Sequence, residues 1–378
     1  MILPSQRHLF DIPRDVCYLN AAYMTPLTQK QHRVGQEALS LSMHPWEVSA
    51  EDFFPVVEEI RVLAGQILNA DADSMAIIPA VSYGMATAAK NLPLKPREAV
   101  LVLEEQFPSN VYEWRALADR VGGEIMTVAT PDDDDWSTAV LDTLEQFGGR
   151  ISIVALPHVH WSSGAALDLV SISAACKRIG AALVLDLTQS IGAMPIDMQK
   201  VDPDFAIAGG YKWMMGPYSL GVMYVAPRWQ DGKPLEQNWI ARKGSEDFRG
   251  LVNYQSDYQP GARRFDMGER SNFILAPIYK EGLRQLLEWG IENIAETLEA
   301  LNKRLAALAS EAGFLPVNEA FRGPHLLGVH IGAAGEELLA RLKAANVSAS
   351  VRGNTLRVAP HLWIDEQDEA VFARALIA

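Results

Sequence analysis

Cysteine is almost missing: Cys17 and Cys176 are the two thiols in 378 residues. So sparse a pair excludes a disulfide framework and makes a reducing cytosol the expectation. Neither thiol has a second cysteine or a histidine at metal-ligand spacing, so no metal site is expected. An excess of positive charge is also lacking. The formal net charge is −14, which argues against nucleic acid or an anionic membrane as partner, because both need clustered cations. Long apolar runs are missing as well. "ISIVAL" and "AALVL" are strand-sized and far below a membrane span. The opening "MILPSQRHLFDIPRD" is expected not to be a signal peptide, being too polar with too short an apolar run. No internal repeat and no low-complexity tract is found, and "DDDD" at Asp132–Asp135 reads as a solvated loop.

What is there suits a large globular α/β protein. The chain is too long for one small core, so two domains of unequal size are expected. The middle alternates strands with helices: "EAVLVLEEQ", "GEIMTVAT", "RISIVALPHV", a helical "SISAACKRIGA", then "AALVLDLTQ", "DFAIAGGYK" and "LGVMYVAP". Continuous Val, Ile and Leu runs with helices between them predict a mostly parallel sheet covered on both faces. An antiparallel hairpin is expected around Lys212. From Pro277, "PIYKEGLRQLLEWGIENIAETLEALNKRLAALASEAG" reads as one long helix, with a possible break at Gly290. Short strands around one more helix, "GEELLARLKAAN", complete a small α+β module. The boundary falls between Gly261 and Gly282.

One lysine stands apart. In "GGYKWMMGP", Lys212 is the sole charge among glycines and large apolar residues, which would desolvate it. Asp186 closes the apolar strand "AALVLD", at the end where open α/β sheets bind ligands. It could hold a heteroaromatic nitrogen protonated, or cap the following turn. "IIPAVSYGMATAAKNL" runs from a strand end through Val81, Ser82, Tyr83 and Gly84 into a helix whose free N–H groups suit a dianion. It is neither a P-loop nor a GxGxxG fingerprint. Phe107, in "EEQFPSNVYEW", is either core or a stacking platform. An imine-forming lysine, a carboxylate for a ring nitrogen, a phosphate-binding helix start and a stacking ring together describe a pyridoxal-phosphate site.

These residues carry a resemblance over nearly the whole chain. It resembles the class V aminotransferases, pyridoxal-phosphate enzymes of fold type I, whose relatives include kynureninases, cysteine desulfurases, isopenicillin-epimerase-like enzymes and C–S lyases. "CYLNAAYMTPL", with Asn20, resembles the opening segment; "DLTQS" its D-x-x-[QH] motif; "GYKWMMGP" the lysine segment; "TLRVAPHLW" the segment whose arginine, here Arg357, binds a substrate carboxylate. "FPSN", with Phe107 and Ser109, and Tyr211 beside Lys212 are similar to kynureninases, as is Trp239 in "QNWIARKG". "ERSN", with Arg270 and Asn272, resembles a segment lent by a partner subunit, and "HVHWSSG" makes His160 a candidate for the ring oxygen or substrate.

The resemblance implies a large domain of residues 16–265 with a mostly parallel, seven-stranded-type sheet. A small α+β domain of residues 1–15 and 266–378 would complete it. It implies a cytoplasmic homodimer with the site at the subunit interface. Lys212 and Asp186 would be catalytic. Val81, Ser82, Phe107, Ser109, Gln189, Tyr211, His160 and Asn272 would bind the cofactor. Arg357, Asn20, Trp239 and Arg270 would bind an amino-acid substrate. Arg263, Arg264, Arg242 and Arg352 are further basic groups for a second carboxylate, with Arg270 favoured. The activity implied is transamination; the alternatives are C–C or C–S lyase chemistry, epimerisation, or a catalytically silent scaffold. Asn110 and Ser219 depart from the pattern, standing where kynureninases carry aspartate and many members carry glycine. No cysteine follows Cys176, which opposes a persulfide mechanism.

Overall fold

The computed structural model describes residues 1–332 and 335–377. A short strand β1 (Cys17–Tyr18) precedes helices α1 (Gln29–Leu41) and α2 (Pro55–Leu68). The middle of the chain then alternates: β2 (Met75–Ile78), α3 (Val81–Asn91), β3 (Ala99–Leu103), α4 (Tyr112–Val121), β4 (Glu124–Val128), α5 (Trp136–Phe147), β5 (Ile151–Pro157), α6 (Leu169–Ile179), β6 (Ala182–Asp186), α7 (Met198–Val201), β7 (Phe205–Gly209) and β8 (Gly221–Val225). The seven strands from β2 to β8 form one sheet in the order β2-β8-β7-β6-β5-β3-β4. Its centre is parallel, and β8 runs antiparallel to both β7 and β2. The hairpin expected around Lys212 is therefore present.

Strand alternation splits the apolar side chains into two layers. Ala76, Ile78, Val100 and Ile207 pack with α3 and α4 on one face; Met75, Ile77, Leu101 and Leu185 join the larger cluster with α2, α5 and α6. Both faces are covered, which is why these strands read as unbroken apolar runs. Only edge strand β4 exposes residues, Glu124 and Thr127, whose polarity keeps a free edge from pairing further.

The expected long helix is two: α8 (Leu275–Trp289) and α9 (Ile291–Glu311). They part at Gly290, whose φ of +79° few other residues tolerate. The strands β9 (Leu315–Pro316), β10 (Leu327–His330), β12 (Ser350–Arg352) and β13 (Thr355–Val358) form an antiparallel sheet in the order β12-β13-β10-β9. With it go β11 (Val347–Ser348), parallel to β1, and helices α10 (Gly335–Ala344) and α11 (Glu366–Ile377). The first residues return to this region through a buried Arg7–Asp368 ion pair of 2.8 Å and Phe10 edge-on to Trp363. The loops after β2, β3, β5, β6 and β7 all leave the same end of the large sheet.

Candidate active site

Those five loops enclose a cavity of about 390 Å³. Val81, Ser82, Phe107, Ser109, Asp186, Gln189, Tyr211 and Lys212 line it together. Its size suits a small ligand.

Lys212 reaches it because its neighbours are held elsewhere. Trp213, Met214 and Met215 are fully buried, and backbone bonds from Gly210 to Leu220 and from Gly216 to Gly210, both 2.8 Å, fold the segment into a knot. Gly216 packs against the buried ring of Tyr279, where a Cβ would collide. The Lys212 amine forms no ion pair within 4.0 Å among the described residues, and Nζ lies 5.3 Å from the Phe107 ring centre and 5.5 Å from that of Tyr211. Burial pushes its pKa down to about 8; Asp186 opposes the shift, while Arg357 and Arg352 add to it.

Asp186 is buried, and its Oδ1 accepts the Thr188 N–H at 2.9 Å, a local Asx turn. Thr188 Oγ1 in turn accepts the Gly209 N–H at 3.2 Å, tying the end of β6 to the end of β7. Burial raises the Asp186 pKa against the Thr188 hydrogen bonds and Lys212. Gln189 is fixed from both sides: Trp213 Nε1 donates to its Oε1 at 2.9 Å, and its Nε2 donates to the Ala22 carbonyl at 3.1 Å. One amide N–H remains for a ligand.

Helix α3 starts without a side-chain cap at Ala80, and the N–H groups of Val81, Ser82 and Tyr83 find no acceptor among the described residues. Three free donors at a helix N-terminus form an anion cradle. A flat dianion with a basic ring nitrogen and an electrophilic carbon thus fits the cavity. No group of three candidate metal ligands occurs among the described residues.

Arg357 lies behind Trp161, donating from Nη1 to its carbonyl at 3.0 Å, while its own Nε is buried without a partner. Asn20 accepts the Ser350 hydroxyl at 2.9 Å on the same sheet face.

Arg357 and Asn20 do not themselves line the cavity, and four more expected residues also fall outside it. His160 is buried beneath the loop: it stacks on Trp136 at 5.1 Å, Ser162 and Ser163 hydroxyls flank its Nδ1, and burial pushes its pKa down to about 4. It supports the loop and does not touch the cavity. Arg270 is fully buried and paired with Asp266 at 2.6 Å and Glu58 at 3.4 Å, leaving no free fork for a substrate. Trp239 packs on Phe53 and Phe248 on another surface. Asn272 caps α8 by accepting the Leu275 N–H at 2.8 Å.

Sequence reading missed Trp161, Thr188, Gln106 and Tyr218, which also line the cavity. Thr188 was findable from the Asp-x-Thr spacing of an Asx turn. Trp161 was not, because the loop's direction is set by its packing on β10.

Comparison with known proteins follows the same geometry. The family model described as "Aminotransferase class-V" matches residues 37–350. An uncharacterized aminotransferase, YcbU, of Bacillus subtilis is 26% identical over 309 residues, spanning 80% of this chain and 78% of that one. A kynureninase of Deinococcus radiodurans is 28% identical over 277 residues, spanning 70% of this chain and 64% of that one. The solved apo structure of a cysteine desulfurase from Thermococcus onnurineus NA1 superposes with a TM-score of 0.84 at 17% identity, covering 100% of this chain and 98% of that chain. A C-DES mutant with glycine covalently linked to the pyridoxal-phosphate cofactor reaches 0.84 at 17% identity, over 98% and 99% of the two chains. These structural likenesses are of fold.

Proposed function

This chain belongs to the class-V aminotransferase family of pyridoxal-phosphate enzymes, and from that premise we propose that it transaminates an amino acid at the Lys212 cavity. One observation carries the reading: a desolvated, unpaired lysine amine shares a cavity with a buried carboxylate and an uncapped helix start.

The cavity residues divide the cofactor among them. The N–H groups of Val81 and Ser82, with the hydroxyls of Ser109 and Tyr211, suit the phosphate. Phe107 suits the ring face, Asp186 the ring nitrogen, the free N–H of Gln189 the ring oxygen, and Lys212 the aldehyde carbon. Bound there, pyridoxal phosphate supplies a carbon that captures amino groups and a ring that accepts electrons. Lys212 Nζ has a pKa lowered to about 8, so an appreciable fraction is neutral near physiological pH, ready to bond the cofactor and later to carry the substrate Cα proton. Asp186 needs a cationic partner to be comfortable as a buried carboxylate, and a protonated ring nitrogen is one. Arg357 orients the substrate carboxylate, with the Asn20 amide beside it.

Two observations weigh against a persulfide mechanism and against kynureninase-like chemistry. Cys17 and Cys176 are buried, their thiols pushed up to about 12 by burial, and neither lines the cavity. Neither can act there as a thiol nucleophile. Asn110 accepts from Trp114 Nε1 at 2.9 Å and Trp239 lies elsewhere, so two kynureninase-like positions serve packing. We also assign residues 16–265 and residues 1–15 with 266–378 to two domains, and a homodimer in which Asn272 and Trp239 face the partner's site. A cytosolic location is part of this reading; no helix among the described residues is long and apolar enough to cross a membrane.

The test is a visible absorption spectrum of purified protein with pyridoxal phosphate, beside Lys212→Ala. Wild type should show a band that borohydride removes, and the variant should lack it with its fold intact. Turnover of an amino acid with a keto-acid acceptor should then fall by more than about 1000-fold in the variant. A folded wild type with no band would leave a silent scaffold. A band with release of ammonia or sulfide, and no keto-acid dependence, would replace transamination by lyase chemistry.

A further inference from the structure

Beside the cavity wall stands a second guanidinium for which a simple amino acid offers nothing. β12 and β13 pair with Ser350 opposite Arg357 and Arg352 opposite Thr355. Opposed residues, and residues two apart, share a face of an antiparallel pair. Ser350, Arg352, Thr355 and Arg357 therefore share one face, while Val351 and Leu356 pack into the core on the other. The arginine face meets Trp161: the guanidinium carbons of Arg352 and Arg357 lie 5.6 Å and 5.9 Å from its ring centre. Trp161 lines the Lys212 cavity.

This platform is rigid. Trp161 Nε1 donates to the Glu105 carbonyl at 2.7 Å. Three residues on, Gly164 has a φ of +80° and packs on the Leu326 carbonyl, and Gly328 of β10 accommodates the Ser163 backbone where a Cβ would clash. The loop is pressed onto the small sheet with no slack for Trp161 to drift.

The other arginines considered for a second carboxylate are taken. Arg263 pairs with Glu58 and Asp73, each at 2.6 Å; Arg264 with Asp231 at 3.0 Å; Arg270 with Asp266 at 2.6 Å; Arg242 donates to Gln237 at 2.6 Å and to the Ser256 carbonyl at 2.7 Å. Arg352 donates only to its neighbour's carbonyl, Val351 O, at 2.8 Å, and pairs with no carboxylate among the described residues. Lys212 and Asp186 line the cavity, and both arginines stand against Trp161, a residue of its wall. Burial above all, and then the neighbouring cations, lower the pKa values of Arg357 and Lys212. One substrate carboxylate answers Arg357 and leaves Arg352 unanswered.

We propose that Arg352 is a specificity-determining residue that reads a second carboxylate, so that the preferred substrate is an amino dicarboxylic acid. The inference rests on the reading that the Lys212 cavity processes an amino acid.

The test uses cofactor-loaded wild type, Arg352→Gln and Arg357→Gln, titrated with aspartate, glutamate, their amides and alanine while the visible band is followed. In parallel, calorimetry measures succinate and butyrate binding to the protein without cofactor. Wild type should prefer an acid over its amide by at least about tenfold. Arg352→Gln should bring that ratio to within about twofold, with the alanine value changing by less than about threefold. Arg357→Gln should weaken every amino acid together. Equal binding of acid and amide by wild type, or an equal loss for alanine and glutamate in Arg352→Gln, overturns the inference. Absence of any visible band would instead sink the cofactor reading. The second-carboxylate subsite is then judged by calorimetry: succinate binding lost in Arg352→Gln supports it, and no preference of wild type for succinate over butyrate overturns it.

Discussion

Arg61, Arg263 and Arg270 lie between α2 and residues 261–270 with Glu58, Asp73 and Asp266; Lys212 lines the cavity with Asp186 alone, and Arg352 and Arg357 stand against its wall residue Trp161. Each set has three cations, and Arg61, Arg270 and Arg357 are all fully buried. In the first, every guanidinium meets a carboxylate: Arg61 and Arg270 share Asp266, and Arg263 and Arg61 hold Glu58 at a pKa of about 2 despite its burial. In the second, the guanidinium hydrogen bonds go to backbone carbonyls alone. Paired cations brace the fold. Unpaired ones keep an electrostatic deficit that a ligand can fill, which is how binding sites differ from structural networks of the same composition.

The most forceful way to break this contrast is Asp266→Ala, which removes the one fully buried carboxylate of the first set. Arg61 and Arg270 would lose their shared buried partner and keep only the partly exposed Glu58, at a cost of roughly 3–5 kcal/mol. Chemical denaturation would read this as a large fall in midpoint, and an unchanged midpoint would show that the pairing is not structural. A smaller effect follows from Lys212. Its amine loses a proton near pH 8 in the folded protein, against 10.5 ordinarily. Capture of pyridoxal phosphate by the apoprotein, timed by stopped-flow absorbance, should speed up with pH and level off above about 8. Between these two pKa values the unfolded chain holds the extra proton, so stability should rise with pH across that window. Lys212→Ala should lose the rise. A capture rate still climbing at pH 10 would place Lys212 among ordinary lysines. Smallest is Ser219→Gly. Ser219 has a φ of +72° at the cavity wall, so glycine should add about 1 kcal/mol of stability. A loss of stability would mean that the hydroxyl makes a contact worth more than the strain.

Much of the site was legible because its chemistry needs rare residues in unlikely places. A lysine among apolar residues and an aspartate closing an apolar strand are costly patterns, and both reach the cavity. Val81, Ser82 and Phe107 were read from strand ends and Ser109, Gln189 and Tyr211 from the family resemblance; in a doubly wound sheet strand ends converge. The reading failed where it asked what an arginine or histidine was paired with. Arg270 was favoured over Arg352 for the second carboxylate, yet Arg270 faces Asp266, four residues earlier in sequence, and Glu58, far away. His160 was named a candidate for the ring oxygen or substrate, because nothing local says that the histidine turns inward onto Trp136.

The sequence by itself determined the alternation of apolar strands and helices, the hairpin at Lys212, the break at Gly290 and the identity of the reactive groups, since each follows from periodicity, backbone freedom or desolvation within one segment. Only the tertiary structure decided which cations are spent on partners and which remain free. Pairing is a matter of distances of a few ångströms between segments far apart in the chain, and those distances are set by packing.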